Sequence, residues 1–337
     1  MIRRVLGPRG SGWAPLVEEN EPRSVRAPNG GEHVTRSRPD RAACERRFQG
    51  GSPAISLTYP VGAACNGRLM SETDMSFGLV LTATGSGRAW AEQASRAEQQ
   101  GWSSLLVPDT LWTPSPFPTL AAAAAVTSTV RLRTWVLAAP LRSAAAVARE
   151  AASLQVLSDG RFDLGIGSGR PDAEHEAAQL GLPWGSPADR IRQVEDVIVA
   201  VREKVSPTPK IVVAAAGPRM LVAAARSADR VALALPPMAG HHDLAAAADR
   251  VRAAAPGTIG LSQQLSGLAG RLPAWLTRGG LDPRTLAAAG AVGMLVGDAA
   301  AMADTLRGRR EELGIDEIIV PGELADEFAP VIRRLAG

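Results

Sequence analysis

The sequence predicts an α/β protein, a (β/α)8 TIM barrel over residues 75–337, and three observations lead there. From Ser76 onward short apolar strands alternate with helical stretches, the pattern of a parallel sheet covered by helices. Eight such units fit into roughly 260 residues, which suits a closed barrel better than an open doubly wound sheet. Hydrophobic residues make up 45% of the 337 and charged residues 21%, enough apolar material for a substantial core.

Each element has its own signal. Phe77–Leu81 reads as the first strand, and its helix runs from Arg88 to Gln100 with Gly101 in the closing position. Ser104–Val107 is the second strand, followed by an alanine-rich helix at Thr119–Val126. The third strand is Arg131–Leu137, and its helix spans Ser143–Leu157 before stopping at Asp159-Gly160. Phe162–Ile166 is the fourth strand, ending in the run Gly165-Ile-Gly-Ser-Gly169. A long helix from Pro187 to Glu203 leads to the fifth strand, Ile211–Ala214. Gly217-Pro218 opens the next helix, with proline at the first helical position, where its missing N–H is harmless. Arg230–Leu235, a helix over Leu244–Ala255 and strand Ile259–Leu265 continue the alternation. Asp298 caps a helix through Leu313, Glu317–Val320 is the eighth strand, and Leu324–Leu335 closes the chain. Residues 265–292, with Leu272-Pro273, Trp275, Gly279-Gly280 and Asp282-Pro283, read as an insertion over one rim.

Residues 1–74 have neither periodicity, and are expected to be a disordered tail or a start assigned too early, since Met70 and Met75 immediately precede the first strand. They lack the apolar segment of a secretory signal. They also hold both cysteines, Cys44 and Cys65, so a disulfide framework or thiolate metal site in the barrel is excluded. Eleven arginines and eight acids fall there, which accounts for the whole net charge of +3; the remainder balances 26 bases against 26 acids. A neutral folded part predicts no nucleic-acid partner, and no apolar run is long enough for a membrane span. A cytoplasmic location is the expectation.

Barrels bind ligands at the C-terminal ends of their strands. After strand two comes Pro108-Asp109-Thr110-Leu111-Trp112, and after strand three Ala138-Ala139-Pro140-Leu141-Arg142. Gly167-Ser168-Gly169-Arg170 follows strand four, and Ala215-Ala216-Gly217-Pro218-Arg219 follows strand five. Glycines admit close backbone approach and helix N-termini offer free N–H donors, so Gly217-Pro218-Arg219 is the better anion candidate, with an ordinary turn equally compatible. The G-x-G-x-G run is not a dinucleotide fingerprint, because Arg170 occupies the place of the third spaced glycine. His175, His241 and His242 are the histidines after Met75, and none has metal-ligand spacing. His175 reads as part of a solvated polar helix and His241-His242 as a loop. A barrel poor in acid–base side chains suits chemistry carried by a bound cofactor.

The stretch Arg149-Glu-Ala-Ala-Ser-Leu-Gln-Val-Leu-Ser-Asp-Gly-Arg-Phe-Asp-Leu-Gly-Ile-Gly-Ser-Gly169 resembles a motif of the luciferase-like flavin-dependent oxidoreductases, especially their deazaflavin (coenzyme F-420) branch. Ala215-Ala-Gly-Pro-Arg219 is similar to the family's cofactor loop, and Gly297-Asp298 through Val320 to its C-terminal pattern. The resemblance implies a coenzyme F-420 or, alternatively, FMN lying across the strand ends. Its ring would lie near Leu137, Ala138 and Ala139, where relatives often carry a non-proline cis peptide, and its phosphate on Gly167, Ser168, Ala216, Gly217 and Arg219. The implied reaction is hydride transfer with a small organic substrate. The alternatives are an FMN-dependent monooxygenase served by a flavin reductase, and a cofactor-binding barrel without turnover. A homodimer is implied as well. Asp109 is the candidate catalytic residue, and Asp109, Trp112, Trp135 and Arg170 are the substrate-side candidates; for Trp135 a packing role within its strand is equally open. The sequence departs from the family where Asp109-Thr110 and Arg142-Ser143-Ala144 replace histidine-bearing motifs, and where the stretch between Glu203 and Lys210 is short.

Overall fold

The computed structural model describes residues 75–170 and 172–335. The expected tail of residues 1–74, with Cys44 and Cys65, lies outside them. The elements are β1 (Ser76–Val80), α1 (Gly87–Gln99), β2 (Ser104–Val107), α2 (Pro116–Ala124), β3 (Arg131–Thr134), β4 (Leu137–Ala138), α3 (Ala144–Leu157), β5 (Phe162–Gly167), α4 (Ala173–Gln179) and α5 (Pro187–Lys204). They continue with β6 (Lys210–Ala215), α6 (Pro218–Ser227), β7 (Arg230–Leu233), α7 (His241–Ala254), β8 (Gly260–Gln264), β9 (Gly267–Leu268), α8 (Ala274–Arg278), α9 (Pro283–Ala288), β10 (Met294–Leu295), α10 (Ala299–Leu313), β11 (Ile315–Pro321) and α11 (Ala325–Leu335).

Parallel pairing runs β3-β2-β1-β11-β8-β7-β6-β5, and β5 returns to β3 through Leu132↔Phe162 and Arg133↔Asp163, closing the sheet into a barrel. The expected (β/α)8 class is the observed one. β3 and β4 form one stave interrupted at Trp135-Val136, so eight staves stand in the ring. Local chemistry sets the helix starts: Ser86, Ser143 and Asp298 each accept a hydrogen bond from a backbone N–H of the first turn of α1, α3 and α10. Helix α2 begins at Pro116, one turn earlier than expected, because proline suits the first turn of a helix. His241 and His242 are the first residues of α7 rather than a loop, with Gly240 as the cap.

Residues on the outside of the staves, among them Phe77, Leu105, Leu132, Leu164, Val213, Val231 and Ile318, pack with the helices in one apolar core. Inside, the N-terminal half of the barrel is polar. Arg133 donates to Glu317 at 2.8 Å and to Asp163 at 3.2 Å, while Ser262 donates to Glu317 at 2.5 Å. Arg131 also binds Asp163, at 2.5–3.1 Å, and Arg230 lies 3.8 Å from Glu317. Burial alone would raise Glu317, but the Arg133 and Arg230 guanidiniums and the bonds from Arg133 and Ser262 hold it at about 2. Burial likewise opposes the charge on Arg133, and Glu317 and Asp163 more than offset it, raising its pKa.

The expected rim insertion is present as β9, α8, α9 and β10, the two strands pairing parallel through Met294↔Gly267 and Leu295↔Leu268. It has a small core of its own, Leu286, Ala291 and Met294. It is tied to the end of β11 and the start of α11 by an Arg271–Glu327 ion pair and by Ala274 N–H donating to Glu323 at 2.6 Å.

Candidate active site

The mouth at the C-terminal ends of the staves is shaped first by the break in the third stave. Pairing with β5 shifts from Arg133↔Asp163 to Leu137↔Ile166, so Thr134, Trp135 and Val136 stand opposite two residues, Leu164 and Gly165. This is a β-bulge. The Trp135–Val136 peptide is cis, two residues before the segment in which the resemblance placed one. The bulge interrupts the ladder, and Thr134 restores it. Its hydroxyl donates to Gly165 C=O at 2.7 Å and accepts from Gly165 N–H at 2.9 Å. A Cβ on residue 165 would lie 1.9 Å from Thr134 O, which explains why the bulged stave needs glycine opposite it.

The bulge frees Trp135 to reach inward. Its indole N–H donates to Gln264 Oε1 at 2.8 Å. The third stave carries Trp135 and the seventh, β8, carries Gln264, so the bond joins opposite walls of the ring. Trp135 is half-buried beneath the mouth, a place compatible with both expectations for it, substrate contact and strand packing.

On one side of the mouth the turn after β2 is held by paired charges. Asp109, 7% exposed, accepts from Arg142 on both oxygens, at 2.6 Å from Nη2 and 3.3 Å from Nε. Arg170 donates to the Asp109 backbone C=O at 3.4 Å, pairs with Glu176 and stacks over Trp112, its guanidinium carbon 4.7 Å from the ring centroid. Glu176, 3% exposed, also accepts from Leu111 N–H at 3.4 Å. Trp112 itself is 69% exposed. Asp109, Trp112 and Arg170 are therefore brought together, while Trp135 lies below them. Both Asp109 oxygens thus fix the place of the Arg142 guanidinium at the mouth.

The turns after β5 and β6 stand side by side, since Gly167 pairs with Ala214. Ser168 is half-buried, and Gly169 takes φ +88° with the Trp184 ring packed where a side chain would stand. Ala216, Gly217 and Arg219 are exposed at the start of α6, and a Cβ at Gly217 would meet nothing within 4 Å. Arg219 has no ion-pair partner among the described residues. Leu137 and Ala139 are buried in the core between barrel and helices, so at this stave only backbone and Ala138 are left for the mouth. Arg142, Glu176 and Gln264 were missed by sequence reasoning. The helix around His175 reads as solvated from the sequence, and Glu174 and His175 are exposed, but Glu176 is buried together with Ala173 and Ala177. No group of three or more metal-ligating side chains occurs among the described residues.

Residues 75–260, more than half of the chain, match the family model of luciferase-like monooxygenases. An F420-dependent glucose-6-phosphate dehydrogenase of Beutenbergia cavernae is 39% identical over 115 residues, covering 32% of this chain and 33% of that protein. The oxygenase component of a flavin-dependent trigonelline monooxygenase of Acinetobacter baylyi is 36% identical over 81 residues, 24% of this chain and 22% of that one. The chain thus matches a third or less of the length of these two relatives. The solved structure of an F420-dependent secondary alcohol dehydrogenase with an F420-acetone adduct superposes with TM-score 0.62 at 17% identity, over 78% of this chain and 99% of that one, a likeness of fold. The matched model and the barrel together establish that the chain belongs to the luciferase-like monooxygenase family, whose members are F420- or FMN-dependent oxidoreductases.

Proposed function

We propose that the protein is an oxidoreductase that binds a deazaflavin coenzyme, F-420, at the C-terminal mouth and acts on a small organic substrate. The observation that carries this reading is the pairing of the mouth. The carboxylates of Asp109 and Glu176 are engaged by guanidiniums, whereas the start of α6 leaves backbone N–H groups and Arg219 open. The residues present fit a phosphorylated planar coenzyme better than a reaction run by side-chain acids and bases. Gly167, Ser168, Ala216, Gly217 and Arg219 would hold its phosphate, and the backbone of Leu137, Ala138 and Ala139 would back its ring. When bound, the coenzyme supplies hydride transfer. The chain's own residues orient the partners and exclude water, with Trp112, Arg170 and the Asp109-held Arg142 lining the substrate side. The similarity to the Beutenbergia cavernae dehydrogenase favours deazaflavin.

The second reading is an FMN-dependent monooxygenase fed by a separate flavin reductase, favoured by the similarity to the trigonelline oxygenase component. Either reading carries a homodimer by family analogy. The test is a fluorescence titration of the protein with oxidised and reduced deazaflavin, with FMN in parallel. Selective deazaflavin binding, weakened severalfold in Arg219→Ala and more so at low salt, is the expected result. Preference for FMN would move the assignment to the monooxygenase, and a folded protein that binds neither would end the coenzyme reading.

A further inference from the structure

Beneath the mouth, one polar group is fixed in place and has no protein partner among the described residues. The Gln264 amide oxygen accepts the Trp135 indole N–H at 2.8 Å across the full width of the barrel, which sets the orientation of the amide. Its nitrogen, with two N–H donors, makes no hydrogen bond to the protein among the described residues. The neighbouring Gln263 shows the contrast. It points to the outer side of the stave, and both ends of its amide are used, the nitrogen donating to Val292 C=O at 3.0 Å and the oxygen accepting from Arg309 at 3.1 Å. Gln264 sits at the last position of β8, half-buried, where the stave opens into the mouth. Replacing Trp135 by an aliphatic residue would remove the group that holds the amide oxygen turned away.

We propose that Gln264, held across the barrel by Trp135, is a ligand-binding residue whose amide nitrogen donates to a carbonyl oxygen on the edge of a planar conjugated ring bound in the mouth. The proposal rests on the coenzyme reading above. Trp135 is then a positioning residue, and the pair forms the floor that recognises the ring by a carbonyl acceptor. Deazaflavin and FMN rings both carry such carbonyls, so the pair selects for that chemistry without choosing between the two.

The experiment measures the dissociation constants of oxidised deazaflavin and of FMN for wild type, Gln264→Glu and Gln264→Met, each with its thermal midpoint and the visible absorption band of the bound ring. Gln264→Glu keeps an oxygen for the Trp135 N–H and removes the donor. Gln264→Met removes the donor without adding charge. Both are expected to weaken binding about five- to tenfold and to move the absorption band, with the thermal midpoint of Gln264→Glu near that of wild type. A pair that only braces the barrel predicts unchanged dissociation constants in Gln264→Glu, and that result overturns the proposal while leaving the coenzyme reading intact. If Gln264→Met does not fold, Gln264→Glu decides at two ionic strengths. A loss that persists in high salt supports the lost donor, and one that vanishes there overturns it. Wild type binding neither ring would instead remove the coenzyme reading, and the proposal with it.

Discussion

Arg133→Met should cost about 3 kcal/mol of stability, the lower end of the range for removing one partner of a buried ion pair. The low end follows from what remains. Asp163 keeps Arg131 at 2.5–3.1 Å, but Glu317 is left with Ser262 at 2.5 Å and Arg230 at 3.8 Å. The loss must depend on pH. In the wild type the depressed Glu317 pKa, about 2 against an ordinary 4.5, contributes stability that is present above pH 4.5 and lost as pH falls toward 2. In the variant burial acts with less opposition and raises Glu317, so the penalty is largest at neutral pH and fades as the carboxyl takes up its proton. Urea melts followed by circular dichroism at pH 7 and pH 4 read this directly. With a slope of about 3 kcal/mol/M, the midpoint at pH 7 should fall by about 1 M. A shift below about 0.3 M, or a gap between wild type and variant that is the same at both pH values, would refute the reasoning. Because Arg133 shares its stave with Trp135, and Ser262 its strand with Gln264, the variant should also loosen the floor of the mouth.

Two further outcomes follow from the site geometry. Gly165→Ala, whose Cβ would stand 1.9 Å from Thr134 O, should lose soluble yield or several kcal/mol of stability, whereas Gly217→Ala, with nothing within 4 Å, should stay within about 0.5 kcal/mol of wild type in the same melts. Asp109→Asn keeps the shape but weakens the hold on Arg142, so with a working substrate in hand it should raise KM severalfold and leave kcat within about threefold; a collapse of kcat with an unchanged KM would instead favour a catalytic role for Asp109 itself.

The barrel was legible because its evidence is local. Caps at Ser143 and Asp298, proline at the start of α6, and strands that alternate apolar with polar residues can each be read within a dozen positions. The bulge was legible only through the family resemblance, which implied a non-proline cis peptide bulge near Leu137, Ala138 and Ala139; the pattern of Arg131–Leu137 by itself reads as one unbroken strand. The mouth was only half legible. Asp109, Trp112 and Arg170 were found by their place after strands, but what Asp109 does depends on Arg142, 33 residues away on another stave. The Trp135–Gln264 bond spans 129 residues and requires the closure of the ring to exist. Partnership of this kind is a property of the topology, and no spacing rule encodes it.

The extra residue in the third stave also works as a change of phase. Before it, odd-numbered positions such as Arg131 and Arg133 face the interior; after it, Ala138 shares the inward face with Gly167 while Leu137 aligns with outward Ile166. One inserted position thus hands a large side chain to the helix layer and offers a methyl group to the mouth. Run on without the bulge from Arg133↔Asp163, the same residues would set Leu137 opposite Gly167 and turn it inward, narrowing the mouth with a leucine without a single substitution in the lining.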